Sequence, residues 1–314
     1  MHGAGRGRGT GAGRRFGPLL TALVALASPA LAGEGRIPID QDRAVAGGVT
    51  ASDTAGFPVT LDTPGTYVLT GPVTVPDQNT TAIEVTAANV TIDLNGFKMS
   101  GPVSCTGSGA ALSCSPLGTG IGIQGSVAGT TVRNGLIRGF GDDGVSLGDD
   151  AVVEDVSFFH NGGGAIIVLD GARVSGCQIV SNYAGGIQGN GESLIVEHSQ
   201  VQWNRLAGIS KASTEKGGRL HGNVVRGNGS DGINVGSSVI EDNAVFANQG
   251  DGVALSGAGS LVRGNSIRSN TGTGIDSNSA NVDGYTHNSL DANGTAVSDA
   301  LAIGNNSCSG SLCP

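Results

Sequence analysis

Glu197, His221 and Glu241 stand 24 and 20 residues apart. If the chain returns to one line every twenty-odd residues, they form a carboxylate–imidazole–carboxylate row. The two carboxylates would then lie about 9.6 Å apart, twice the spacing of neighbouring strands. That is near the upper end of the range for inverting glycoside hydrolysis. A carboxylate on each side would raise the His221 pKa and suit the ring to acid–base catalysis. Trp203 and Gln202 are close in sequence and offer a stacking surface for a sugar. The spacing is wide for a single ion, so no metal site is assigned here. A second pair, Asp231 and Asp251, is 20 residues apart, each just before a glycine. On adjacent coils they would lie about 5 Å apart, close enough to bind Ca²⁺ with backbone carbonyls or to act as a retaining carboxylate pair. No other cofactor is expected. Each group also has a structural reading. Asp before Gly makes a good turn. The sign alternation Asp93/Arg133/Glu154 and Glu241/Arg263 suits ion pairs between coils, each contributing little.

These spacings have meaning only if a repeat brings the residues together. Asn161, Asn182, Asn204, Asn228, Asn248, Asn270 and Asn293 recur at steps of 21, 22, 24, 20, 22 and 23, averaging 22. Two less regular copies precede them, ending at Ser100 and Phe140. Eight residues before each Asn stands an apolar residue, from Ile92 and Val132 to Val262 and Tyr285. Three before stands another, from Phe97 and Ile137 to Ile267 and Leu290. Five after stands a third, from Val145 to Ile275. Three apolar, mostly β-branched columns with polar flanks predict three short strands per repeat. Gly and Asn between them supply left-handed backbone. One repeat cannot bury its own apolar face, so the repeats stack.

The predicted fold is all-β: a single-stranded right-handed parallel β-helix of about nine coils of ~22 residues, since like residues then stack at about 4.8 Å. The Asn series above, and a second through Asn95, Asn223, Asn243, Asn265 and Asn288, would form side-chain ladders. Leucine-rich repeats share the period but need many Leu and a helical arc. Read outward, the column at seven before the Asn is the most charged: Asp93, Arg133, Glu154, Ser175, Glu197, His221, Glu241, Arg263 and Thr286. The column at six after is bland. Phe159 and Phe246 share a further outward column, with Val180, Gln202 and Arg226 between them, placed to meet a loop or a partner. His160, His198 and His287 fall at differing offsets and form no cluster.

Composition sets the context. Of 314 residues, 56 are Gly but only 14% are charged, and Gly does not recur every third position, which excludes collagen. Arg6, Arg8, Arg14 and Arg15, the apolar run 18–32 and Ala30-Leu31-Ala32 predict a signal peptide over 1–32. Its run is shorter than the ~20 residues that span a bilayer, and no later stretch is a membrane span. Without those 32 residues the net charge falls from −9 to −13, because four Arg and no acid are lost. Such a chain is a poor nucleic-acid binder, and polyanions are repelled unless a local basic patch or a cation intervenes. Export favours disulfides Cys105–Cys114 and Cys308–Cys313; Cys177 is left as a buried thiol. The domains follow: an N-terminal cap at 33–80, the β-helix at 81–293 with an insertion loop at 101–119, and a C-terminal cap at 294–314.

The coil pattern, the Asn series and the leader "GTYVLTGPVTVP…IEVTAANVTIDLNGF" resemble the secreted bacterial right-handed β-helix proteins of the pectate-lyase-like superfamily, with copper-delivering NosD-like proteins as a related branch. The resemblance covers roughly residues 55–295. It implies an exported protein, periplasmic, extracellular or at the cell surface, that binds or acts on extracellular polysaccharide. The alternatives are an adhesin-like scaffold and a weak hydrolase or lyase using paired acids. A metal-handling role like that of the NosD branch is disfavoured by the lack of a Met/His/Cys cluster. "GFGDDGVSLG" (139–148) is similar to the aspartate-pair motif of polygalacturonases at Asp142 and Asp143, but the other segments of that motif set are missing. That pair is therefore read as turn chemistry.

Overall fold

The computed structural model describes residues 35–211, 217–278 and 282–313, together with Gly3 and Gly5. The predicted signal segment, 1–32, otherwise lies outside the described residues. The fold belongs to the unit Glu34–Pro314.

Within that unit the chain winds as a parallel β-solenoid. One coil shows the plan. An opening strand, Ile233–Val235, is followed by a middle strand, Val239–Glu241, and a closing strand, Ala244–Phe246. Each pairs in parallel with its equivalent one coil away. Among the described residues the opening strands form an 11-stranded sheet, and the middle and closing strands merge into one of 22. The three apolar columns point inward as a buried core. Ile233↔Val253, Ile240↔Val262 and Val245↔Ile267 are in direct register, and all six side chains are fully buried.

There are about eleven turns, not nine, giving a column about 48 Å long at the usual strand spacing. The extra turns come from the segments expected to be caps. Arg36–Ile39 and Gly65–Leu69 stack in register beneath Val90–Asp93. Thr295–Ser298 adds the last opening strand. The two N-terminal turns lack the recurring Asn, so the repeat does not announce them. The short helix Gln41–Ala46, capped by Asp40, buries Ala44 against the first turns. At the other end the hairpin Ser307–Cys308/Ser311–Leu312 is closed by Cys308–Cys313.

Two Asn ladders hold the corners. One runs between the closing strand and the next opening strand, from Asn161 through Asn182, Asn204, Asn228, Asn248 and Asn270 to Asn293. Each Nδ2–H donates to the next Oδ1 at 2.9–3.0 Å. Between the middle and closing strands, Asn223, Asn243, Asn265 and Asn288 do the same and continue to Asn306. Along both ladders an Oδ1 also accepts a backbone N–H from the preceding coil. Buried polar groups are costly unless paired, so every coil must repeat the residue its neighbour requires.

Two expectations shift in the earliest coil. Met99, not Phe97, pairs with Ile137 and fills the core. Asn95 is an exposed left-handed corner residue that donates to Leu69 O, outside the ladder. The coil carries two extra residues at Asn95-Gly96, which moves the closing strand along by that amount. The 101–119 insertion is a disulfide-closed hairpin, Ser104–Thr106 against Ser113–Ser115. It does not project from the body. It folds back along the corner after the closing strands, packs on Tyr183 and reaches Trp203, where Gly109 N donates to the Trp203 carbonyl at 3.0 Å.

Candidate functional site

The three outward faces differ. On the middle face the charged column is in the register predicted: Glu197 faces His221, His221 faces Glu241, and Glu241 faces Arg263. The carboxylates, however, are taken by arginines. Arg173 Nη2 and Arg219 Nη1 each lie 2.9 Å from a different oxygen of Glu197. Arg219 Nη2 and Arg263 Nε hold the two oxygens of Glu241 at 3.4 and 2.8 Å. Both glutamates are largely buried beneath these guanidinium groups. Arg173 and Arg219 belong to the adjacent outward column, two residues earlier, whose other members are mostly apolar. His221 Nδ1 is buried without a hydrogen-bond partner and faces Asp242 Oδ2 at 3.6 Å. Its ring meets that of His198 edge to face, centroids 5.4 Å apart, so His198, expected to stand alone, has a neighbour. The left-handed corner at His198 lays its ring over Gly222.

On the opening face, Asp231 and Asp251 serve the turns. Asp231 Oδ1 accepts from Asp251 N at 2.9 Å, and its Oδ2 accepts from Asn234 Nδ2 at 2.8 Å. Asp251 Oδ1 accepts from Thr273 N at 2.6 Å. Burial, then the charges of Asp231 and Asp276, push the Asp251 carboxyl up despite that bond.

Further down the same face lies a feature that the repeat pattern does not single out. Asp142 and Asp143 edge a depression of about 310 Å³, floored by Gly163, Gly164, Ala184 and Gly185 and flanked by Ile167 and Gln188. Asp143 is buried, and its carboxyl is pushed up to about 7 by burial and by neighbouring Asp142, against a hydrogen bond from Gly164 N. Burial also raises Asp142. The depression continues through Ile167 into a second of about 220 Å³ lined by Gln124, Ser146 and Asn190. Through Gln124 it reaches a third of about 250 Å³ that includes Glu84. The bland outward column thus lines a run of amide, hydroxyl and carboxyl groups across five coils. The signal was the small-residue track Gly163-Gly164, Ala184-Gly185, which leaves room above the sheet. A larger apolar cavity of about 510 Å³ beside the N-terminal helix holds no titratable side chain.

The closing face carries the column Arg138, Phe159, Val180, Gln202, Arg226, Phe246, Arg268 and Asp291. Trp203 sits just past its strand in a left-handed corner, φ 58°, with its ring lying over Gly227 of the next coil. Arg226 Cζ is 4.9 Å from the Trp203 ring centroid and 5.9 Å from that of Phe246, and Arg226 Nε donates to Gln202 Oε1 at 2.7 Å. Arg268 stacks on the other side of Phe246 at 4.5 Å, and Arg205 on Tyr183 at 4.6 Å. Among the described residues no carboxylate lies within 4.0 Å of Arg138, Arg205, Arg226 or Arg268.

The fold has known counterparts. A periplasmic alginate epimerase, AlgG, superposes with a TM-score of 0.57 at 13% identity, over 88% of this chain and 84% of that one. The A-module of the Azotobacter vinelandii mannuronan C-5 epimerase AlgE6 does so at 0.53 and 14%, over 82% and 88%. The AlgE4 A-module of the same organism gives 0.52 and 15%, over 86% of each. No curated protein matches the chain in sequence. The model of one family, described as periplasmic copper-binding protein (NosD), matches residues 123–308, well over half the chain, and the chain belongs to that family.

Proposed function

We propose that this protein is exported and binds an extended polysaccharide along the outward side of its opening sheet. One observation carries the reading: the run of depressions from Glu84 to Gln188, lined by groups that suit sugar hydroxyls. The periplasmic family, the two disulfides and the polysaccharide-acting enzymes of like fold support it. We assign Glu197 and Glu241 to holding coils together, because both oxygens of each are already engaged by arginine. Ca²⁺ between Asp231 and Asp251 is not required by this reading, since three of their four oxygens already accept hydrogen bonds.

A second reading, weak acid–base action on the bound polymer, is favoured by Asp143. A carboxyl held near 7 keeps a transferable proton at neutral pH. Copper fits less well. Among the described residues no group of three or more His, Cys, Asp or Glu is placed to hold an ion. Met99 is in the core, four cysteines form disulfides, and burial pushes the Cys177 thiol up to about 12. We derive no step through copper.

The test is a polysaccharide array probed with the full chain, Gln188→Ala and Asp143→Asn, with product release followed in parallel. Binding to a neutral polymer that Gln188→Ala weakens supports the first reading. Product release that Asp143→Asn abolishes adds the second. No binding to any polymer leaves the scaffold alternative in its place.

A further inference from the structure

The acidic chain should repel polyanions unless a basic patch is set apart for them, and the closing face has the features of one. We infer that the row Trp203, Arg226, Phe246 and Arg268 is a second binding rail, selective for polysaccharides that carry carboxylates.

The chemistry follows from how the arginines are held. A guanidinium laid flat on an aromatic ring is fixed through its face, while its N–H edges stay free to meet a carboxylate in two parallel bonds. Arg226 has its Cζ over the Trp203 ring at 4.9 Å and, more distantly, over that of Phe246 at 5.9 Å, and its Nε donates to Gln202. Arg268 is held by Phe246. The two arginines are two coils apart on one parallel sheet, about 9.6 Å at strand spacing, which sets a fixed interval for a polymer with regularly spaced charges. Trp203, 38% exposed, stands beside them with part of its ring in solvent. An aromatic face receives the C–H side of a sugar, and an acidic peptide has no equivalent of that side. Val224, Ala244 and Ser266, the neighbouring outward residues, are short. The disulfide hairpin fixes the corner: its Gly109 N–H holds the Trp203 carbonyl, and its tip packs at Gly229.

This inference shares the reading of the protein as a polysaccharide binder but uses a different face, so the two fail separately. The experiment compares the full chain with Arg226→Ala/Arg268→Ala, Arg226→Lys, Trp203→Ala and, from the middle face, Arg263→Ala. Probes are polygalacturonate, a neutral glucan and poly-glutamate, with folding of each variant checked by circular dichroism. Wild type should bind polygalacturonate with an affinity that falls as salt rises. The double variant should lose about tenfold or more, and Arg226→Lys several-fold, because lysine keeps the charge but not the planar fork. Arg263→Ala should change binding less than about twofold, since its charge is already paired. Polygalacturonate binding that survives the double variant, or that falls equally with Arg263→Ala, overturns the rail. Equal binding of poly-glutamate, or indifference to Trp203→Ala, overturns its selectivity for sugar. Neutral-glucan binding that depends on Gln188 supports the opening-face reading whatever the arginines do.

Discussion

The middle and closing faces of the same coils both carry arginines two strand spacings apart, but with different neighbours. On the middle face Arg173, Arg219 and Arg263 interleave with Glu197 and Glu241 until four carboxylate oxygens are engaged. On the closing face Arg226 and Arg268 interleave with Gln202 and Phe246 and meet rings. The lesson concerns availability. A row of charges that satisfies itself contributes to the fold and has little left for a ligand, whereas a row fixed through its faces keeps its donors. The most charged column in the sequence is for that reason the less promising site.

Four substitutions put this contrast at risk. The corner shared by both faces is the Asn223–Asn306 ladder. Asn243→Ala should cost about 3 kcal/mol in urea unfolding, because it strands buried donors and an acceptor on two coils. A cost under about 0.5 kcal/mol would mean the ladder is not what aligns the faces.

Asp143→Asn extends the comparison to the opening face. The folded-state pKa of about 7 lies above the ordinary 3.8, so the folded protein holds this proton more tightly than the unfolded chain. Its favourable contribution is complete below about pH 3.8 and is lost as pH rises through 7. Asparagine stays neutral and still accepts from Gly164. The variant should therefore be more stable than wild type at pH 8, on the order of 2 kcal/mol, and gain nothing at pH 3.5. Denaturation midpoints across that range decide it, and a gain independent of pH would contradict the burial argument.

Arg219→Ala, which removes one partner from each of two largely buried glutamates, should cost about 1.5 kcal/mol. Arg226→Ala should cost within about 0.5 kcal/mol, as its contacts are with rings and an amide near solvent. Equal costs on unfolding would erase the distinction between the faces.

Much of this arrangement was legible in the sequence, because a solenoid turns sequence offset into spatial register. The Asn161–Asn293 series, the three apolar columns and the Glu197–His221–Glu241 row all come from one alignment. That one-dimensional logic fails between columns. Arg173 and Arg219 stand two residues over, among Ile195, Val239 and Leu261, and an outward column taken singly does not match them to the glutamates. The Glu84–Gln188 run falls in a bland column, because a depression arises from what small neighbours leave empty. The column holding Arg226 and Phe246 is visible in the alignment, but not the left-handed corner that turns Trp203 onto Gly227 beside it. Nor does any offset within the repeat indicate that the 101–119 hairpin folds along the column by about 19 Å, four strand spacings, to reach that corner.

A crystal structure of the protein with a uronate oligosaccharide tests most directly whether the face-held arginines are the ones that bind. Sugar density is expected along the closing face, with a carboxylate on the free edges of Arg226 and Arg268 and a ring against Trp203. Density on Arg173, Arg219 and Arg263 instead, with their glutamates displaced, would contradict it.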